Sequence, residues 1–395
     1  MRTEKCYFNT LGMICSIGGS VSAVKRSLLA SEPSLSQSEG FGIDNSLPLG
    51  LFHEELPSIL LEDKKWQSRN NQFALAALNQ IGTEVSEALE RFGAHRVGVI
   101  IGTSTSGIAE SEVAIQQWVN SGELPAYYDY GLQEMGATAQ FVAKTLGTQG
   151  PAYGVSTACS SGAKALSAAR RLIRAGICDA VIAGGVDTMC SLTVQGFSSL
   201  EAVSSTQCNP FSKNRNGINI GEGAALFLLS SEPKGVELIG VGECSDAHHI
   251  SAPDPTGAGA VRCMSAALND GKIAASQVGY VNLHGTATIL NDQMEAFAME
   301  KVFGMGTLCS STKPFTGHTL GAAGAIEAGI CWLMLTDMSN SLLPVHLWDE
   351  ISDPRLPALN FVNSRTKLAS PLSYVLSNSF AFGGNNISLL LGRIQ

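Results

Sequence analysis

The chain has 395 residues, 45% of them hydrophobic and 15% charged, with 42 glycines and a formal net charge of −9. That length exceeds one ordinary core, and such a composition excludes a disordered chain. The acidic balance argues against general nucleic-acid binding, and no apolar run is long enough for a membrane span.

The N-terminal segment, broken by Asn9, Thr10 and Gly12, lacks the clean apolar stretch and cleavage site of a signal peptide. It reads as a first strand, and a cytoplasmic protein is expected. A helix is predicted over residues 72–89, then a buried strand over 96–102 ending in a glycine-containing turn. A helix over 162–175 and a buried strand over 180–185 follow, then a strand over 224–229. The polar bridge Ser230-Ser231-Glu232-Pro233-Lys234-Gly235 divides the chain into halves at 1–233 and 234–395, although it also fits an ordinary loop. Beyond it come a strand over 236–241, a helix over 257–268, a strand over 278–283, helices over 292–302 and 321–334, and a strand over 374–378. This alternation indicates α/β architecture, with parallel or mixed sheets covered by helices. The ten cysteines include no Cys-x-x-Cys pair. Scattered thiols outside a secretory context are mainly small buried hydrophobes, so neither disulfides nor a metal site is expected.

Four segments carry candidate chemistry. Gly154-Val155-Ser156-Thr157-Ala158-Cys159-Ser160-Ser161-Gly162 runs from a strand into a helix, so Cys159 sits near a helix start where free amides favour a thiolate. Alone, the pattern fits a buried structural thiol as well as a nucleophile. In Asn282-Leu283-His284-Gly285-Thr286-Ala287-Thr288 a histidine follows a buried strand, where α/β folds place ligand-contacting loops; a core histidine fits equally. The third segment, Ser311 to Gly324, places Lys313 and His318 before a small-residue helix carrying Glu327. A buried lysine needs a partner, and Glu327 is available. The fourth, Ser377 to Asn386, is an aromatic–glycine loop whose amides could face a developing oxyanion.

Taken together, these motifs resemble the β-ketoacyl-[acyl carrier protein] synthases, the condensing enzymes of fatty acid and type II polyketide synthesis. The segment Asn209-Pro210-Phe211-Ser212-Lys213-Asn214-Arg215-Asn216-Gly217, followed by Gly221-Glu222-Gly223-Ala224, is a further mark of that family. The resemblance implies a thiolase fold: two similar α/β halves with mixed five-stranded sheets, stacked as an α-β-α-β-α sandwich. It implies that Cys159 accepts the acyl group, that His284 and His318 act on the malonyl thioester, and that Lys313 and Glu327 order the site. Phe382 resembles the gating aromatic, its amide forming the oxyanion hole with that of Cys159. Two histidines imply the elongating type, and no cofactor beyond the phosphopantetheine arm of the substrate. The implied partners are acyl carrier protein and a second subunit, either a second copy or a chain-length-factor-like chain. Alternatives are a thiolase-like enzyme using coenzyme A thioesters and a non-catalytic chain-length-factor subunit.

The chain departs from the family at Ala381, where glycine is usual, at Ile218 after Asn216-Gly217, and in the hydroxylated run Gly102-Thr103-Ser104-Thr105-Ser106-Gly107. These changes point to a specialised synthase for polyketide or polyene chains. Thr105, Ile218, Thr286, Thr288 and Ala381 are the expected lining of the substrate pocket. Lys64, Lys65 and Arg69 are the expected docking patch for an acidic carrier, though a solvated helix end fits them equally.

Overall fold

The computed structural model describes residues 5–337, 339 and 342–394; residues 1–4 of the expected first-strand segment lie outside them. The strands run in chain order as β1 (Tyr7–Cys15), a side hairpin β2 and β3 (Ser36–Gly40, Ile43–Leu49), β4 (Val97–Gly102), β5 (Ala152–Val155), β6 (Ala180–Asp187) and β7 (Gly223–Ser230). After the Ser230–Gly235 bridge come β8 (Val236–Ser245), β9 (Tyr280–Asn282), β10 (Leu308–Ser310), β11 (Asn360–Phe361), β12 (Tyr374–Ala381) and β13 (Asn385–Arg393). β4, β6 and β7 are buried at every position, as their unbroken apolar runs require when helices cover both faces.

Among the described residues one sheet contains eleven of these strands, in the order β11-β10-β9-β12-β13-β8-β1-β7-β6-β4-β5. Outward from its centre the two directions repeat each other. β1-β7-β6-β4-β5 and β8-β13-β12-β9-β10 have the same sequence of pairings, two antiparallel then two parallel. Each half thus supplies the five mixed strands expected of it. The halves are joined by a short antiparallel contact, Tyr7 and Phe8 against Glu237 and Val236, and two-residue β11 adds a sixth strand at one edge.

The helices are α1 (Val21–Ala30), α2 (Arg69–Asn79), α3 (Gly82–Phe92), α4 (Ile108–Ser121), α5 (Ala137–Leu146), α6 (Ser161–Arg174), α7 (Ser191–Ser199), α8 (Ala258–Gly271), α9 (Ile289–Phe303), the single turn α10 (Lys313–Thr316) and α11 (Ala323–Thr336). α2 and α5 cover the outer face of the first half, α8 and α9 that of the second, and α6 and α11 fill the layer between. The helix predicted over 72–89 is in fact two. Ile81 leaves helical geometry at φ −119°, while the Gln80 carboxamide bonds Met13, Gly19 and Val21 of the neighbouring chain. Apolar periodicity ran through the break because both helices face the same core.

α6 and α11 approach closely because their contact is made of small residues. A Cβ on Gly162 would lie 2.9 Å from the Ala325 Cβ and 3.0 Å from its amide nitrogen. Gly162→Val is expected to destabilise the protein by about 1–3 kcal/mol through overpacking and to lower turnover by displacing the start of α6; urea denaturation alongside a rate assay measures both.

Candidate active site

β5 ends at Val155, and the chain turns through Thr157 and Ala158 into α6. Ala158 has φ +52°, a left-handed conformation costing a residue with a Cβ about 1–2 kcal/mol. Ser161 holds the turn: its hydroxyl accepts from the Thr157 amide at 2.8 Å and donates to the Ala158 carbonyl at 2.6 Å. The result sets Cys159 beside the N-terminus of α6, only 6% exposed. Burial pushes its thiol up to about 12, against the pull of the Lys313 ammonium. The resting group is therefore a thiol, not a free thiolate, and His318 Nε2 lies 3.0 Å from its Sγ.

His284 lies two residues beyond the end of β9. Its amide and that of Gly285 donate to the Glu295 carboxylate at 2.8 and 2.7 Å, which fixes the loop. Lys313 opens α10 and is buried. Its ammonium donates to the His284 carbonyl, meets Glu327 at 2.5 Å and lies 3.4 Å from His284 Nδ1. An ammonium cannot accept, so Nδ1 must be the acceptor and the ring proton sits on Nε2. Burial, then Lys313, holds both imidazoles well below the ordinary histidine pKa, and His318 lowers His284 a little further. Both are neutral. Burial raises Glu327 to about 6 against Lys313. The rings meet edge to face at 5.4 Å.

The ligating atoms of Cys159, His284 and His318 lie within 4.8 Å of one another. Such soft donors suit a transition metal, but the Lys313 ammonium beside His284 opposes a dication there. The three side chains open onto a cavity of about 310 Å³ that Ile218, Thr286, Thr288, Ala381 and Phe382 also line. The Phe382 ring packs 5.7 Å from Phe197. Ala381 is extended at φ −107°, so its Cβ strains nothing in this conformation; Gly383 and Gly384 take φ +77° and +70°, where a Cβ would be strained.

Two expected site residues fall elsewhere. Thr105 is buried but does not line the cavity. Its hydroxyl and amide, with the Thr103 hydroxyl and Ser104 amide, donate to Asp187 Oδ1, whose other oxygen takes the Gly321 amide at 2.6 Å. The hydroxylated run thus satisfies a buried carboxylate that burial would otherwise push towards the neutral form. Arg69 is not a free cation. Its guanidinium pairs with buried Glu222 at 2.5 and 3.0 Å, so the docking patch shrinks to Lys64, which bonds the Ala126 carbonyl, and Lys65, paired with Asp63. Sequence reasoning missed Asp187, Glu295 and Asp246, and took in Asn386 only as the end of the aromatic–glycine loop. Glu295 had a signal, since acids at 292 and 295 share one face of a helix otherwise apolar there.

Family models describe residues 70–234 as "Beta-ketoacyl synthase, N-terminal domain" and 236–344 as "Beta-ketoacyl synthase, C-terminal domain". The chain is 32% identical over 354 residues to a 3-oxoacyl-[acyl-carrier-protein] synthase 2 of Staphylococcus aureus, spanning 85% of this chain and 84% of that protein. It is 30% identical to the protein of that name from Vibrio cholerae, over the whole of both. Among solved structures, a ketosynthase in complex with its chain length factor from Xenorhabdus doucetiae is 43% identical with a TM-score of 0.94, over 99% of this chain and 98% of that one. The ishigamide ketosynthase/chain length factor gives 27% and 0.87, over 99% and 100%.

Thr105→Val should lower stability by about 1–3 kcal/mol, the cost of stripping hydrogen bonds from a buried carboxylate, and leave the distribution of product lengths unchanged. Chemical denaturation and product mass spectrometry test the two halves; a shifted length distribution would put Thr105 back in the substrate pocket.

Proposed function

The chain belongs to the β-ketoacyl synthase family, and from that premise we propose that it is an elongating synthase, joining a Cys159-bound acyl chain to a malonyl unit carried on acyl carrier protein. The 3.0 Å contact between His318 Nε2 and Cys159 Sγ carries the reading. The thiol passes its proton to His318 as sulfur attacks the acyl thioester, and the positive end of α6 favours the thiolate as it forms. The amides of Cys159 and Phe382 hold the tetrahedral oxyanion. The departing carrier thiolate takes the proton back, leaving a neutral imidazole.

Malonyl carrier then enters through the mouth lined by Thr286 and Thr288. The Nε2–H of His284 donates to its thioester carbonyl, and His318 joins it once its ring proton has moved to Nε2 from Nδ1, which has no hydrogen-bond partner to hold it there. Carbon dioxide leaves, the electron pair of the broken bond becomes an enolate on the remaining two-carbon unit, and its carbon attacks the Cys159 thioester. Sulfur departs as thiolate, recovers a proton from solvent, and the β-ketoacyl carrier is released. No cofactor is needed, because the phosphopantetheine arm belongs to the substrate. Lys64 and Lys65 are the cations that would meet an acidic carrier.

For the pathway we propose polyketide or polyene extension with a chain-length-factor-like partner, in the cytoplasm. The 43% identity to a ketosynthase solved with its chain length factor supports this. So does the exposed apolar surface of Val113, Trp118 and Val119 on α4, which a second subunit would cover.

Incubation with a panel of acyl carriers should add one acyl mass to the intact protein, and Cys159→Ala should abolish the adduct. An unmodified wild-type chain, across saturated, unsaturated and aryl-primed carriers, would return the reading to a non-catalytic subunit. Because both imidazoles are held neutral, condensation should show no loss of kcat as pH falls through 6.5, with the falling limb appearing only below it. A limb at 6.5 would mean that His284 and His318 titrate as ordinary histidines.

A further inference from the structure

Two cysteines outside the catalytic cluster stand together behind the gating loop. Cys244, on β8, is half-buried; Cys263, on α8, is fully buried. Cys263 Sγ donates to Cys244 Sγ at 2.9 Å. Among the described residues no other two thiols make such a contact. Cys244 also contacts the Gly259 carbonyl at 3.1 Å and the Asn386 amide nitrogen at 3.8 Å. The Cys263 and Asn386 donors lower the Cys244 thiol below its ordinary range against burial, with Arg262 helping and Asp246 opposing. Cys244 is thus the half-buried, more acidic member of the pair, and Cys263 the fully buried resolving partner.

The pair is wired to the active site. Asn386 donates to Asp246 Oδ1 at 2.7 Å, and both residues line the cavity in front of Cys159. The Asp246 amide donates to the Gly384 carbonyl at 2.9 Å, and the Gly383 amide to the Ile250 carbonyl at 2.8 Å. The glycines after Phe382 are therefore anchored to the segment that leaves β8 immediately after Cys244.

We propose that Cys244 and Cys263 form a redox modification site that closes to a disulfide under a peroxide, and that closure weakens the anchor of the Phe382 loop. Cys244 sulfur attacks one peroxide oxygen, breaking the O–O bond; Cys244 becomes a sulfenic acid and one water leaves. Cys263 sulfur then attacks the Cys244 sulfur, its proton leaving with the hydroxyl as a second water. Two thiols are oxidised and one peroxide is reduced. The sulfurs must come roughly 0.9 Å closer to reach disulfide bonding distance, which draws Cys244 away from Asn386 and Gly259.

The full chain is treated with graded hydrogen peroxide, keeping to doses at which Cys159 still labels with iodoacetamide, and digested for peptide mass spectrometry. A Cys244–Cys263 cross-linked peptide is expected in the wild type, reversed by dithiothreitol and absent from Cys244→Ser. Cys263→Ala, should it fold, gives a Cys244 sulfenic acid trapped by dimedone instead. Turnover of the treated wild type should fall severalfold and recover with dithiothreitol, while Cys244→Ser holds its untreated rate. Absence of the cross-link while Cys244 remains free or oxidises alone overturns the site. A complete cross-link with unchanged turnover overturns its coupling to the gate. The mapping reads the disulfide whether or not the chain condenses malonyl carriers, so the two proposals fail separately.

Discussion

The Lys313 ammonium is the charge on which the site is built. It is withdrawn from solvent, and an unpaired ammonium there would cost several kcal/mol. Glu327, the His284 carbonyl and His284 Nδ1 meet that cost from two different elements. In doing so they fix the position of α10 against α11 and the tautomer of His284. The same charge opposes protonation of both imidazoles and favours the Cys159 thiolate. One buried pair therefore sets the geometry and the protonation of three reacting groups.

That pair can form only because the central layer is thin. Glycine and alanine at the α6–α11 contact let two helices from opposite halves approach until residues on one reach those of the other. Gly185 of β6 lies so near Ala322 that a Cβ would come within 2.8 Å of its Cα. The repeated strand order brings the loop after β5, carrying Cys159, and the loop after β10, carrying Lys313 and His318, to the same end of the sandwich. These are equivalent parallel strands of the two halves, so the duplication itself assembles nucleophile and base.

The sequence showed the apolar strands and the motif residues plainly, because each is a local signal: an unbroken Val/Ile run, or a polar residue amid glycines. The α2–α3 break was hidden, since Gln80 acts on Met13 and Gly19, more than sixty residues away. Thr105 and Arg69 were misread for a related reason. A hydroxyl or guanidinium near a motif looks available until the buried acid facing it is known, and Asp187 and Glu222 lie 82 and 153 positions distant. Charges satisfied within the fold carry no mark in a single sequence that separates them from charges facing a ligand.

Burial raises the Cys159 thiol and lowers the two histidines, and this combination first looks hostile to catalysis. The proton count removes the difficulty. Transfer from thiol to His318 makes a thiolate–imidazolium pair whose net charge equals that of the starting neutral pair, so the cavity acquires no net charge while sulfur attacks. Once the leaving thiolate has taken the proton, both imidazoles are neutral again; His284 donates from Nε2, and His318 does so after its ring proton moves there from the unpartnered Nδ1. A charged imidazolium would stabilise the enolate more strongly, but it would also pair with the malonyl carboxylate and hold back the electron pair that must move as carbon dioxide departs. A buried pocket with one internally paired lysine thus serves acyl transfer and decarboxylation with the same two rings.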